Sequence, residues 1–217
     1  MARFRVPFRF RFRVLTGLAL SCTVLSTAWA RVGIAGVVVD ETVIVAGKTL
    51  TLNGGGYRKR GYFRTDVTAL YTQQPVRTIE ALEKAPGPKR IELVILQDIS
   101  GSQASRYFLM DFEASVAPGE FSQLIQEVSE IGSIYSALGT IRKGDVVTFD
   151  CVPGRGMLAS MNGTPLMAHG ASSPWFTNEL LSRLFLRMYV AGKTSAELRD
   201  NLLGLSSSMR DAAPASR

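Results

Sequence analysis

Leu52-Asn53-Gly54-Gly55-Gly56-Tyr57-Arg58 is the sharpest interruption in the N-terminal half of the chain. Before it, Thr49-Leu50-Thr51-Leu52 alternates polar and apolar residues, and Val37-Val38-Val39 and Val43-Ile44-Val45 are β-branched runs; all three are strand signals. Gly47-Lys48 predicts a turn between Val43-Ile44-Val45 and Thr49-Leu50-Thr51-Leu52. The glycine run predicts a break, because only glycine enters positive φ without steric cost. Beyond it, Tyr57–Tyr71 resumes with aromatic and β-branched residues and predicts one long or bent strand.

Further out, Pro75 to Leu82 predicts a short helix and Arg90–Gln97 a well-buried strand. Ser100 caps a predicted helix through about Val116, with Ala104, Phe108, Met110, Phe112 and Ala114 inward. Pro118 stands where first-turn proline belongs, and Phe121, Leu124, Ile125, Val128, Ile131 and Ile134 follow the helical period. Lys143-Gly144-Asp145 predicts a turn, then strands at Val146–Val152 and Gly156–Met161. Asn162-Gly163 is a hairpin signal with Thr164–Met167 returning. Ser173-Pro174 opens a predicted helix through about Tyr189, and a last helix, Ser195–Leu203, closes at Gly204. Strands and helices in blocks, without a βαβ repeat, define an α+β fold: a large antiparallel sheet with helices on one face.

The first 30 residues read as a cleavable signal peptide. Arg3, Arg5, Arg9, Arg11 and Arg13 precede an uncharged run from Val14 to Ala30, which ends in Ala28-Trp29-Ala30. A retained anchor and lipidation at Cys22 are the alternatives. Five of the 25 basic residues leave with this segment, so the body carries 18 acidic residues against a nearly equal basic count. That balance, with no basic block, removes the main support for nucleic-acid binding. The expected organisation is a signal peptide over 1–30, one domain over 31–205 and a disordered tail over 206–217, with no membrane span after cleavage.

Little else carries chemistry. Without Cys22 the body keeps only Cys151, in an apolar run, so it is read as buried and inert, with no disulfide. His169 is the single histidine, in a turn-like segment; with one unpaired cysteine there is no zinc set, a Ser-His-Asp triad would have to rest on it, and a solvated loop histidine is the plainer reading. The glycine run lacks the Lys-Ser or Lys-Thr of a phosphate loop. No metal and no cofactor are expected.

Taken together and in order, Leu52–Arg58, Ala69-Leu70-Tyr71, Ile99-Ser100-Gly101, Lys143-Gly144-Asp145, the hairpin at Asn162-Gly163, and Leu198 with Leu202-Leu203-Gly204 resemble the chalcone isomerase family, in particular its bacterial exported chalcone isomerase-like proteins. The resemblance spans Val32 to Gly204. It implies an open-faced β-sandwich with a helical layer on one face of the sheet and a ligand cleft between them, and a periplasmic location. The family's enzymes close a chalcone to a flavanone with an arginine, a threonine and a tyrosine. Arg58 matches the arginine. The threonine position falls on Asp66, with Thr65 and Thr68 close by, and the tyrosine position falls on Ala104, with Tyr107 a turn later. Non-catalytic relatives that bind fatty acids also keep the arginine.

The leading expectation is therefore an exported, non-catalytic binder of a small amphipathic anion, fatty-acid-like or aromatic, held by Arg58, Tyr107 and Tyr71. No catalytic residue is assigned. The rivals are an isomerase using Arg58 and Tyr107, and a structural or interaction protein of the cell envelope with a self-filled cleft. A solvated Arg58 beside Lys59 and Arg60, core roles for the two tyrosines, and an Asp66 salt bridge that occupies Arg58 are the plainer readings of the same residues.

Overall fold

The computed structural model describes residues 31–206; the expected signal peptide and nearly all of the expected tail lie outside them. Twelve strands run in chain order as β1 (Arg31–Ile34), β2 (Val37–Asp40), β3 (Thr42–Val45), β4 (Lys48–Arg60), β5 (Phe63–Thr72), β6 (Lys89–Ile95), β7 (Ile99–Ser100), β8 (Thr140–Ile141), β9 (Val146–Val152), β10 (Gly156–Met161), β11 (Thr164–Pro165) and β12 (Trp175–Phe176). The helices are α1 (Ile79–Lys84), α2 (Gly101–Ser115), α3 (Pro118–Gln123), α4 (Ile125–Ala137), α5 (Glu179–Val190) and α6 (Ala196–Leu202). The main sheet is antiparallel in the order β11-β10-β9-β6-β5-β4-β3, with β12 also paired to β10. This is the expected α+β architecture.

Alternation along the strands assigns the two faces. Leu70, Ile91, Phe149 and Met157 point toward the helices, where they meet Phe108, Phe112, Leu181, Leu184 and Phe185 in one buried core. Each such side chain contributes roughly 1.5–3 kcal/mol by leaving water. The other face is more open. It carries the cross-strand pair Arg90–Asp150, joined by two hydrogen bonds of 2.6 and 2.7 Å. Part of it is covered by the β1–β2 hairpin, through Ile34 and Val39 against Val67.

Several expectations need correction. The glycine run does not interrupt the strand: β4 passes through it, with a bulge between Leu52 and Gly54, and none of the three glycines has positive φ. They are glycines because of close approach. A methyl group on Gly54 would overlap the carbonyl oxygen of Asn201 on α6, and one on Gly55 would press on Ile34 from the opposite face. Asn53 fastens the same place. Its side chain donates to the carbonyls of Val76 (3.0 Å) and Leu202 (2.6 Å) and accepts from the Val76 amide (2.7 Å).

Residues 57–71 form a hairpin rather than one strand, turning at Gly61 (φ 60°) and Tyr62. The helix expected from Pro118 is broken at Leu124 into α3 and α4, and Ile125 is 56% exposed. Met110 and Ala114 face outward on α2. The helix expected from Ser173 starts later, at Glu179, because Asn178 caps it by accepting from Leu180 and Leu181, while Trp175–Phe176 pairs with β10. The strand expected over Thr164–Met167 shortens to Thr164–Pro165. Among the described residues, no helix is long and apolar enough to cross a membrane.

Candidate functional site

A cavity of about 200 Å³ lies between the sheet and the helices. Its floor is apolar, from Leu93, Ile95 and Val147 of the sheet and Phe108, Tyr135 and Met188 of the helices. Its polar end is built by Arg58, Arg60, Asp66 and Asp111. The cleft is therefore open, not filled by its own side chains.

Arg58 points inward from β4, its side chain 18% exposed. Asp66 stands directly opposite on β5, with Arg58 Nε 3.5 Å from Asp66 Oδ2. Arg58 Nη1 also donates to Asp111 Oδ2 on α2 at 3.2 Å. The Tyr189 ring lies 4.8 Å from the guanidinium carbon. Burial works to lower the Arg58 pKa, but Asp66, Tyr189 and Asp111 outweigh it and hold the group above its ordinary value. Two of its nitrogens, Nε and Nη2, are buried and lack a hydrogen-bond partner among the described residues. Nε still faces the Asp66 carboxylate, so the uncompensated donor is Nη2; a buried donor left without an acceptor costs on the order of 1–3 kcal/mol.

The carboxylates around Arg58 are held by hydrogen bonds of their own. Asp66 accepts from the hydroxyls of Thr65 (3.0 Å) and Thr68 (2.8 Å). Thr65 reaches Asp66 because a bulge in the β4–β5 ladder leaves it unpaired and re-aims its side chain. Asp111 is further tied to Arg60, whose Nη1 donates to Oδ1 at 2.9 Å and whose Nη2 bonds Oδ2. Two guanidinium groups thus face two carboxylates. On the far side of this quartet is a second, polar cleft of about 190 Å³, bordered by Lys59, Lys193 and Ser195.

The structure brings Arg58 and Tyr107 together but not Tyr71. Tyr107 lines the cavity, with its hydroxyl accepting from Gln103 Nε2 at 2.9 Å and the Arg60 guanidinium 4.5 Å over its ring. Tyr71 is fully buried on the opposite face of the sheet, packed with Val43, Val45, Leu50 and Ala69, and its hydroxyl donates to the Asp40 carbonyl at 3.0 Å. Burial pushes its pKa up. Its assignment to the ligand is corrected on strand parity: Tyr71 lies five residues beyond Asp66, an odd spacing that reverses the face.

Asp66 and Ala104, at the positions where the resemblance places a threonine and a tyrosine, both line the cavity. Asp111, Arg60 and Tyr189 were missed. Asp111 had a signal, since it shares a helix face with Ala104, Tyr107 and Phe108 and is the one acidic residue on that stripe. Cys151 is buried, and burial pushes its thiol up to about 12.

A curled antiparallel sheet backed by helices, with an apolar hollow headed by an inward arginine, is the architecture expected of the chalcone isomerase fold. The chain belongs to the chalcone isomerase-like family, whose model matches residues 31–204. Among solved structures, it is similar to a fatty-acid binding protein of Arabidopsis thaliana, with a TM-score of 0.55 and 15% identity over 78% of this chain and 98% of that one. No curated protein sequence matches the chain.

Proposed function

We propose that this chain is an exported, non-catalytic binding protein for a small amphipathic acid, which enters the hollow with its head toward Arg58. The observation that carries this reading is the buried Arg58 guanidinium at the polar end of an open apolar cavity, with Nη2 lacking a hydrogen-bond partner among the described residues. A carboxylate or phenolate oxygen supplies the missing acceptor, and the guanidinium's fixed fork favours a planar anionic head. The fatty-acid binding of the Arabidopsis protein supports the ligand class. Export to the periplasm rests on the composition of the leader and on the bacterial character of the resemblance.

Size narrows the ligand. The hollow is smaller than the roughly 300–1,000 Å³ of drug-sized sites. At about 30 Å³ per water-sized element it holds about seven such elements. A compact aromatic or short-chain acid fits inside, and a long acyl chain must extend past the mouth. About 100 Å² of buried tail contributes roughly 2.5 kcal/mol.

The wall supports a non-catalytic reading. Ala104 offers no hydroxyl and Asp66 stands in place of a threonine, so the two positions that the resemblance gives to catalytic hydroxyls carry none. Native mass spectrometry of the protein taken from its producing cell tests the reading. A bound acid is expected, and Arg58→Ala and Arg58→Lys are both expected to lose it. A consistently empty protein, with acid affinity unchanged in Arg58→Ala, would rule the proposal out.

A further inference from the structure

We propose that the tip of the β4–β5 hairpin docks on an anionic lipid surface. Tyr62 is 101% exposed and Phe63 64% exposed, two consecutive aromatic rings, the first in the turn and the second opening β5. Behind them the hairpin is basic: Arg58, Lys59, Arg60 and Arg64 are its only charged residues from Asn53 to Thr65. Arg58 and Arg60 are engaged with carboxylates, whereas Lys59 and Arg64 are exposed and form no salt bridge among the described residues. Both instead lie over the Tyr57 ring, at 5.2 and 4.2 Å, which holds their charge at a fixed level on the hairpin.

The spacing matches a membrane interface. Lys59 pairs with Arg64 across the ladder, about two residues behind the apex on each strand. At roughly 3.4 Å of rise per residue, the cations sit about 3 Å behind Phe63 and about 7 Å behind Tyr62. Rings that enter the headgroup–acyl boundary by roughly 5–10 Å therefore bring Lys59 and Arg64 to the phosphate level. Aromatic side chains favour that boundary, and exposed cations favour an anionic surface. Phe63 also lines the hollow, so a docked tip sets the rim of the cavity against the lipid. Docking itself requires no ligand and stands apart from the binding function proposed above.

Co-sedimentation of the purified protein with mixed phosphatidylglycerol–phosphatidylcholine vesicles, and with phosphatidylcholine alone, tests the proposal. Binding is expected on the anionic vesicles only and should weaken with salt. Replacing both rings (Tyr62→Ser with Phe63→Ser) is expected to cut partitioning at least tenfold. Lys59→Glu with Arg64→Glu should cut it by a similar factor. Far-UV circular dichroism verifies that each variant is folded. Tyr62→Trp supplies a direct readout, since its emission should shift to the blue when anionic vesicles are added. Tyr62→Ser alone should leave binding of a soluble acid unchanged, which separates failure of docking from failure of the ligand site. Equal sedimentation with both vesicle types, undiminished binding after both rings are replaced, or no blue shift would overturn the proposal. So would a tip that captures another protein while the vesicles stay unbound.

Discussion

Asp66 faces Arg58 directly across the β4–β5 ladder, with 3.5 Å between Nε and Oδ2, and two threonine hydroxyls fix the carboxylate in place. The pair holds the guanidinium ready but also sets a negative charge beside an incoming acid. Asp66→Asn keeps the shape and removes that charge. It is expected to tighten binding of a small acid by roughly tenfold, since a unit charge at this range is worth more than 1 kcal/mol even at high effective dielectric. Stability should fall by about 1–3 kcal/mol, because Arg58 then keeps only Asp111 as an ion partner. Calorimetric titration and urea unfolding measure the two effects; weaker binding in Asp66→Asn would contradict the role given to the pair.

Ala104 offers a way to close the hollow without disturbing its charges. Ala104→Phe places a ring in the space a ligand needs. We expect the bound acid to disappear from native mass spectra while the unfolding midpoint stays unchanged or rises. Retention of the ligand at full occupancy would mean that it sits elsewhere.

Gly54 tests the close approach of α6 to β4. Gly54→Ala drives a methyl group into the Asn201 backbone and should cost about 3 kcal/mol or more, at the upper end for overpacking. Gly33→Ala is the control, because nothing lies within 4 Å of a methyl group there. Parallel urea curves should show a large loss for the first and a small change for the second.

The fold should fail in alkali before it fails at neutral pH. Burial raises Tyr71, Tyr135 and Tyr189 above their ordinary 10.0 and Cys151 from 9.0 to about 12. Below about pH 8 these groups are protonated in both states, and their contribution is fully present. As pH rises, the unfolded chain releases protons that the folded chain retains, so stability falls by about 1.4 kcal/mol per pH unit for each group in its window. Lys89, lowered from 10.5 by burial, works in the opposite direction, one group against four. Urea midpoints should therefore drop between pH 9 and 11; a flat profile would show that the tyrosines are not sealed as described.

Strands with strict alternation were legible in the sequence, and Val146–Val152 and Gly156–Met161 stand where expected. So was the cap at Ser100, because a hydroxyl before an amphipathic run is a local signal. What failed depends on distant partners. Gly54 looks like a breaker until α6 is laid across it, and Asn53 looks like a turn residue until its three hydrogen bonds are seen. The turn at Gly61-Tyr62 was lost because a single glycine among aromatic and β-branched neighbours signals it only weakly. Of the site, Arg58 and Tyr107 were legible, whereas Tyr71 was misplaced by one step of parity. Asp111 and Tyr189 reach Arg58 only through tertiary packing.

The clamp at Asn53 has a consequence for how the molecule comes into being. Its bond to Leu202 joins residues 149 apart, so the long glycine-bearing strand finds its lasting cover only in a helix near the far end of the chain. Loop closure of that length is slow compared with local hairpins. A chain emerging N-terminus first during synthesis would stay unfinished until this helix had followed, so the strand locks late.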